Sequence, residues 1–336
     1  MKTKYDVLGI GNAIVDILTH VEEEFLIREG LTKGSMQLVD EPTAATLYDK
    51  LGQAIECSGG SAANTVAGLA ALGSRTAFIG KVRNDQLGRI FRHDIQALGA
   101  DFPTPAAENG PTTAYCQVLV TPDAERTMCT YLGACVNLTE TDIDPDLVQN
   151  AAITYLEGYL WDPDAAKAAF RKAIRLAHQA GGKVALSLSD PFCVTRHKEE
   201  FLSLVKEDID ILFANEEEIL TLYGTRDLDE ASHRAREDCD IAVITRSEKG
   251  CRIVNGGNGG NLLDIAARPV HALVDTTGAG DMFAAGFLYG LTRGDDLATC
   301  GRMGNLLAGE VITHLGARPD IDLKSFLDEN LENNLA

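Results

Sequence analysis

Long apolar runs are missing: nothing in the 336 residues approaches the ~18 consecutive apolar residues that a membrane span requires. The first stretch, MKTKYDVLGIGNAIVDIL, has a basic tip and apolar character, but Asp6, Asn12 and Asp16 interrupt it. It reads as a first strand, because a signal peptide needs an unbroken apolar core. Positive charge is also scarce. Against 50 Asp and Glu stand 30 Lys and Arg, a net charge of −20, which argues against a nucleic-acid or anionic-membrane surface and leaves a small molecule as the expected partner. The eight cysteines include no Cys-x-x-Cys pair and no dense framework, so reduced, mostly buried thiols in a cytoplasmic protein are expected. Two nucleotide motifs are absent as well. GIGNAI has Ile14 where a dinucleotide fingerprint needs its third glycine, and Gly80-Lys81 is followed by Val82 and preceded by Arg75 where a P-loop needs Ser/Thr and glycine.

What is present fits an ordinary globular protein: 45% apolar and 24% charged residues, in a chain long enough for one large α/β domain or two smaller ones. Strand-like runs at 7–10, 75–81, 153–156, 184–188, 211–214 and 241–245 alternate with helical patterns at 87–98, 164–180, 198–206, 215–222 and 229–237. Alternation of that kind predicts a mainly parallel sheet covered by helices on both faces, with ligands at the carboxyl ends of its strands. Apolar spacing at Leu47, Leu51 and Ile55 predicts a helix over 43–55, and 251–270 reads as an exposed hairpin or loop. Two excursions leave the main pattern. An acidic segment ending in the short strand 36–39, and a hairpin of 112–120 and 126–131 with a five-residue connection, predict a small separate sheet.

The stretch DTTGAGDMFAAGF, 275–287, organises the site. Residues 269–274 read as a strand, so the glycines fall where a strand feeds a helix. Amides at a helix start have no intrahelical partner and the helix dipole adds roughly half a positive charge, so an anion fits there. Asp281 in that first turn is placed to take a proton from an attacking hydroxyl, and at an ordinary carboxylate pKa near ~3.9 it is ionised at neutral pH. Three more stretches carry polar groups at turns: Asn12 and Asp16 after the first strand, CSGGSAANT at 57–65 leading into a helix, and Asn215-Glu216-Glu217-Glu218 opening another.

With GNAIVDI, GGSAANT, NEEE and DTTGAGD in this order, nearly the whole chain resembles the PfkB or ribokinase-like family of carbohydrate and nucleoside kinases, and within it the adenosine kinases most. The resemblance implies a single kinase unit with a large α/β domain, about 1–20, 41–110 and 133–330, and a β lid, about 21–40 and 111–132. It implies Asp281 as catalytic base and the amides of Gly278, Ala279 and Gly280 as an anion hole. Asn12, Asp16, Gly60, Ser61 and Asn64 would hold the acceptor's hydroxyls, and Met36 and Leu38 on the lid would cover a base or sugar face. ATP and Mg²⁺ are the implied cofactors: Asn215 and Glu218 organise Mg²⁺ through water, Thr245, Ser247 and Gly250 reach the ribose and phosphates, and Asn305 lies near adenine. Asp275 and Thr277 match a monovalent-cation element, which adds K⁺. Three departures stand out: Ser247 for a usual glycine, Ala13 for the proline of adenosine kinases, and a DTT start more typical of sugar kinases. The resemblance implies ATP-dependent phosphorylation of a primary hydroxyl of a ribosyl substrate, adenosine first, with a free-sugar kinase as the alternative that the departures keep open; a non-catalytic sensor is the rival class, and a monomer or a lid-mediated homodimer is implied.

Overall fold

The computed structural model describes residues 3–123, 125–256 and 260–332. Its strands are β1 (Tyr5–Ile10), β2 (Ile14–His20), β3 (Met36–Leu38), β4 (Ile55–Gly59), β5 (Thr76–Ile79), β6 (Ala100–Asp101), β7 (Ala114–Val120), β8 (Arg126–Tyr131), β9 (Ala151–Glu157), β10 (Lys183–Ser187), β11 (Ile211–Asn215), β12 (Ile241–Thr245), β13 (Cys251–Asn255) and β14 (Leu262–Ile265). The helices are α1 (Glu23–Glu29), α2 (Glu41–Tyr48), α3 (Ser61–Ala71), α4 (Gln86–Ala97), α5 (Pro145–Gln149), α6 (Asp164–Gln179), α7 (Pro191–Asp208), α8 (Glu216–Tyr223), α9 (Leu228–Asp238), α10 (Ala279–Arg293), α11 (Leu297–Val311) and α12 (Leu323–Glu332).

Nine strands form one sheet in the order β14-β13-β12-β11-β10-β9-β1-β5-β6. Its pairs are parallel from β6 to β12, and the β12–β13–β14 edge is antiparallel. Because successive strand residues point to opposite faces, each strand feeds two cores. Phe78, Tyr155, Ala185 and Phe213 pack against Phe283 and Phe287 of α10, while Ala77, Leu156, Val184 and Leu212 pack against Phe170, Phe201 and Ile219 of α6, α7 and α8. Burying a side chain of this size contributes about 1.5–3 kcal/mol, so both faces are strongly held.

The second sheet has five strands in the order β3-β8-β7-β2-β4. The hairpin and the short strand at 36–38 are in it, joined by β2 and β4. The small sheet therefore takes in the GNAIVDI and CSGG stretches as well as the two excursions. β2 begins four residues after β1 ends, so Asp16 lies on the small sheet and not at the end of a main-sheet strand.

Two expected elements differ. Helix α2 stops at Tyr48 and Ile55 starts β4, because Gly52 and a polar turn break the helical run after Leu51. Residues 269–274 form no strand: His271 to Val274 are exposed, and the amides of Val274 and Asp275 both turn to the carbonyl of Ile312 at the end of α11. The apolar pattern there has no neighbouring strand to pair with, so it crosses the surface as extended chain. The hairpin expected in 251–270 is β13–β14; residues 257–259 lie outside the described residues. All eight cysteines are free. Among the described residues no helix is long and apolar enough to cross a membrane.

Candidate active site

Helices α3 and α10 consist largely of small residues, SAANTVAGLAA and AGDMFAAGFLYGLTR. Small side chains let helix axes approach closely, and here a Cβ on Gly68 would stand 2.9 Å from the Ala285 Cβ and from Met282. Both N-termini consequently arrive at one point. Ser61 Oγ donates to Asp281 Oδ1 at 2.6 Å, Asn64 Nδ2 donates to Asp281 Oδ2 at 3.0 Å, and Thr65 Oγ1 donates to the Asp281 carbonyl at 3.2 Å. Two stretches that lie far apart in the sequence, 57–65 and 275–287, thus form one cluster.

Asp281 stands in the first turn of α10, whose N-cap, Gly278, has φ 78° and supplies no side-chain cap. A Cβ at Gly278 would lie 2.7 Å from Ala317, and one at Gly280 would meet nothing within 4 Å, so the helix start faces open space. The anion hole expected from three amides is narrower than that, because the Ala279 amide closes the turn on the Thr276 carbonyl at 3.2 Å. Burial pushes Asp281 up to about 6 against the opposing pull of Ser61, Asn64 and Arg318. The ordinary carboxylate value expected from sequence is corrected accordingly: desolvation outweighs two hydrogen bonds.

Glu157 at the end of β9 ties three elements together. Its Oε1 accepts from the backbone and side-chain nitrogens of Asn12 at 3.2 and 2.6 Å, and its Oε2 accepts from the Ala62 amide at 2.9 Å. It thereby fastens the end of β1 to the first turn of α3, at the cost of burial that raises its own pKa to about 7. Gly60 precedes that turn with φ 97°, and a Cβ there would meet the Asn12 carbonyl at 2.3 Å; only glycine fits. Asp16 is pushed up to about 6 by burial, against the charges of Arg318 and Arg126 and with that of Asp281. The Oδ1 atoms of Asn12 and Asn64 are buried without a protein partner. Buried acceptors without partners are uncommon, and a ligand's hydroxyls would satisfy them.

Asp16, Cys116, Thr130 and Leu38 are direct cross-strand neighbours in turn, so Leu38 shares the face of Asp16 some ~14 Å across the small sheet. Met36 is in the next row beside Met128. Both lie on an edge strand and are exposed, Met36 at 51% and Leu38 at 61%, at the rim of the cleft and not in its depth.

The remaining predicted residues lie at the carboxyl ends of β11 and β12. Asn215 and Glu218 form a reciprocal box: Glu218 accepts from the Asn215 amide at 2.9 Å and from its Nδ2 at 2.7 Å, and Asn215 Oδ1 accepts from the Glu218 amide at 2.8 Å. Burial, with Asp190 and Glu217 nearby, raises Glu218 to about 7. Magnesium that keeps most of its water needs few protein ligands, and this partly paired carboxylate with acidic neighbours fits such an ion. Thr245 ends β12, and Ser247 in the following turn has φ 51°, the left-handed region that favours the glycine it replaces. Gly250 closes the turn with φ 87°, its amide donating to the Ser247 carbonyl. Asn305 spends its Nδ2 on the carbonyls of Ile265 and Ala266 at 3.1 and 3.2 Å. It pins β14 to α11, so its donor is not free for a base.

The expected monovalent-cation element is corrected. Asp275 Oδ1 accepts from the Thr277 amide at 3.0 Å, and Oδ2 accepts from the Gly316 amide at 2.9 Å and pairs with Arg126 Nη1 at 2.8 Å. A guanidinium from the small sheet already supplies the positive charge at this carboxylate, so the donor set does not fit K⁺.

Glu157, Arg126 and Arg318 escaped the sequence reading. A charged residue ending a buried strand was a signal for Glu157. Arg126 and Met128 alternate on one strand face, which hints at an inward arginine. Nothing local distinguishes Arg318.

The pfkB family carbohydrate kinase model matches residues 44–323. A crystal structure of adenosine kinase from Sinorhizobium meliloti is 48% identical, covers 97% of this chain and 99% of its own, and superposes with a TM-score of 0.89. A probable sugar kinase from Rhizobium etli is 47% identical over 99% of this chain and 100% of its own, also with a TM-score of 0.89. Adenosine kinase of Saccharomyces cerevisiae is 28% identical over 328 residues, 91% of this chain and 94% of the yeast protein. The large sheet, its flanking helices and the second sheet constitute the ribokinase-like fold. The chain belongs to the PfkB family of carbohydrate kinases, phosphotransferases that act on hydroxyl groups of sugars or nucleosides.

Proposed function

We propose that this kinase transfers the γ-phosphate of ATP to a primary hydroxyl of a ribosyl substrate, and that the substrate is adenosine. The observation that carries the reading is Asp281, half-buried at an uncapped helix start and flanked by polar atoms that lack partners. In phosphoryl transfer the charge spreads over the equatorial oxygens, so the protein acts by positioning and electrostatics. Asp281 accepts the hydroxyl proton, Ser61 and Asn64 hold its carboxylate, and the first turn of α10 presents backbone dipoles to the moving group. Asp16, Asn12 and Asn64 receive the acceptor's other hydroxyls. When bound, Mg²⁺ would screen phosphate charge, with Glu218 and Asn215 organising its water. The Thr245–Gly250 turn borders the nucleotide. The small sheet, closed onto Asp275 through Arg126, excludes water that would compete as acceptor.

The kinship with adenosine kinases and the apolar rim of Met36 and Leu38 support a nucleoside. The DTT start and the equal likeness to a sugar kinase support the second reading, a free-sugar kinase. A coupled ADP-release assay over adenosine, guanosine, inosine, ribose and fructose tests both; turnover with free sugars alone sinks the nucleoside reading. Because Arg126 pairs with Asp275, turnover is expected to be the same in potassium and sodium buffers at equal ionic strength.

A further inference from the structure

The segment after α11 doubles back over the start of α10. The Gly316 amide binds Asp275, Ala317 fills the space beside Gly278, and the next side chain, Arg318, reaches β4 at the root of the small sheet. Arg318 Nη2 donates to the Ser58 carbonyl at 2.8 Å and to its Oγ at 2.9 Å, and Ser58 in turn donates from its amide and hydroxyl to Asp94 of α4 at 2.7 and 2.6 Å. One edge of the guanidinium is thus fixed. Its Nε and Nη1 are buried and have no partner. The titratable groups around it are the Cys57 thiol, Asp94, Asp16 and Asp281. Asp16 carries no hydrogen bond to protein that influences its titration, and faces Arg318 and Arg126.

A buried guanidinium normally satisfies its donors, because each orphaned N–H carries a desolvation cost. Here an acid without bonded partners lies beside Gly59, next to the serine that holds a cation with unused donors. A hydroxyl pair matches both: its O–H groups donate to Asp16, and an oxygen lone pair accepts from Arg318.

We propose that Arg318 is a positioning and specificity-determining residue for the acceptor, donating from Nε and Nη1 to a ring hydroxyl that is also held by Asp16. Its charge also favours the ionised forms of Asp281 and Asp16. The proposal rests on the acceptor being a polyhydroxylated ribosyl or sugar compound. Asp281 also faces Ser61 and Asn64 of α3, Asp16 of β2, Tyr155 and Glu157 of β9, and Tyr159. Arg318 is the cation whose charge lowers its proton affinity.

The test compares wild type with Arg318→Met and Arg318→Lys, using whichever of adenosine or free sugar the wild type turns over. Arg318→Met is expected to raise the acceptor KM at least tenfold, leave the KM for ATP within twofold, and move the acid limb of the rate profile to higher pH. Arg318→Lys keeps the charge but not the fork, so it is expected to restore the acid limb while the acceptor KM stays high. Folded Arg318→Met protein with wild-type acceptor KM and acid limb overturns the proposal. If Arg318→Met does not fold, Arg318→Lys and wild type decide it with 2′- and 3′-deoxy acceptors. Wild type must lose affinity for one of them, and Arg318→Lys must lose less for that analogue than for the full diol; equal losses overturn it. A wild type that turns over sugars alone rejects the adenosine reading but leaves this comparison intact.

Discussion

At the scale of single residues, Asp281, the proposed base, is held at a cost to the fold. Its pKa is raised from 3.8 to about 6, so the charged form needed for catalysis is disfavoured by burial. The rate is expected to be level above about pH 6 and to fall roughly tenfold per unit below it, read from kcat/KM against pH. A carboxyl group whose folded pKa is raised binds a proton more tightly in the native state. Its stabilising contribution is therefore full below its unfolded value and declines as pH rises through about 6. Asp281→Asn removes that charge. The new amide oxygen accepts from Ser61, and its NH₂ satisfies the orphaned Asn64 oxygen after a flip of that side chain. The variant is expected to lose about 10²–10⁴ in kcat and to melt at or above the wild-type temperature at pH 8. Full turnover in the folded variant would remove Asp281 from the mechanism.

At the scale of elements, the site depends on how closely α3 and α10 approach. Gly68 sets that distance, since the Ala285 Cβ it faces is fixed to the backbone of α10. Gly68→Ala gains about 1 kcal/mol of helix propensity, yet the contact forces the helices apart, and overpacking costs about 1–3 kcal/mol. The expected outcome is a net loss of stability in denaturant titration together with a lower kcat, as Ser61 and Asn64 move away from Asp281. An increase in stability with unchanged kcat would show that the helices are not in limiting contact. Gly60→Ala tests the neighbouring turn. A side chain at φ 97° against the Asn12 carbonyl is expected to cost at least about 1–2 kcal/mol and to weaken acceptor binding more than ATP binding.

At the scale of the molecule, the ion pair Arg126–Asp275 ties the small sheet to the start of α10, with side chains only 8% and 6% exposed. Removing one partner of a buried pair costs about 3–5 kcal/mol. Arg126→Met is expected toward the lower end, because Asp275 keeps two backbone donors. Faster hydrogen exchange in β7 and β8 than in the large sheet should accompany that loss; uniform exchange would mean that the pair does not hold the small sheet. The exposed apolar residues Met36, Leu38 and Ile55 lie on the two edge strands of that sheet. Whether they cover a ligand or a second copy is read from sedimentation with and without adenosine.

The alternation of strand and helix, the helix start at Gly278 and the acid at Asp281 were legible in the sequence, because periodicity and turn chemistry are local. So was the Asn215–Glu218 pair, since a capping box is written within four residues. The bond from Ser61 to Asp281 spans 220 positions, and no local pattern encodes it. The strand expected at 269–274 does not form, since an apolar run becomes a strand only where a neighbouring strand offers free hydrogen-bonding groups. Only the tertiary structure decided that Arg126 pairs with Asp275 and that Arg318 reaches Ser58 of the small sheet. Electrostatic and desolvation energies depend on distance in space, and the chain order does not carry it.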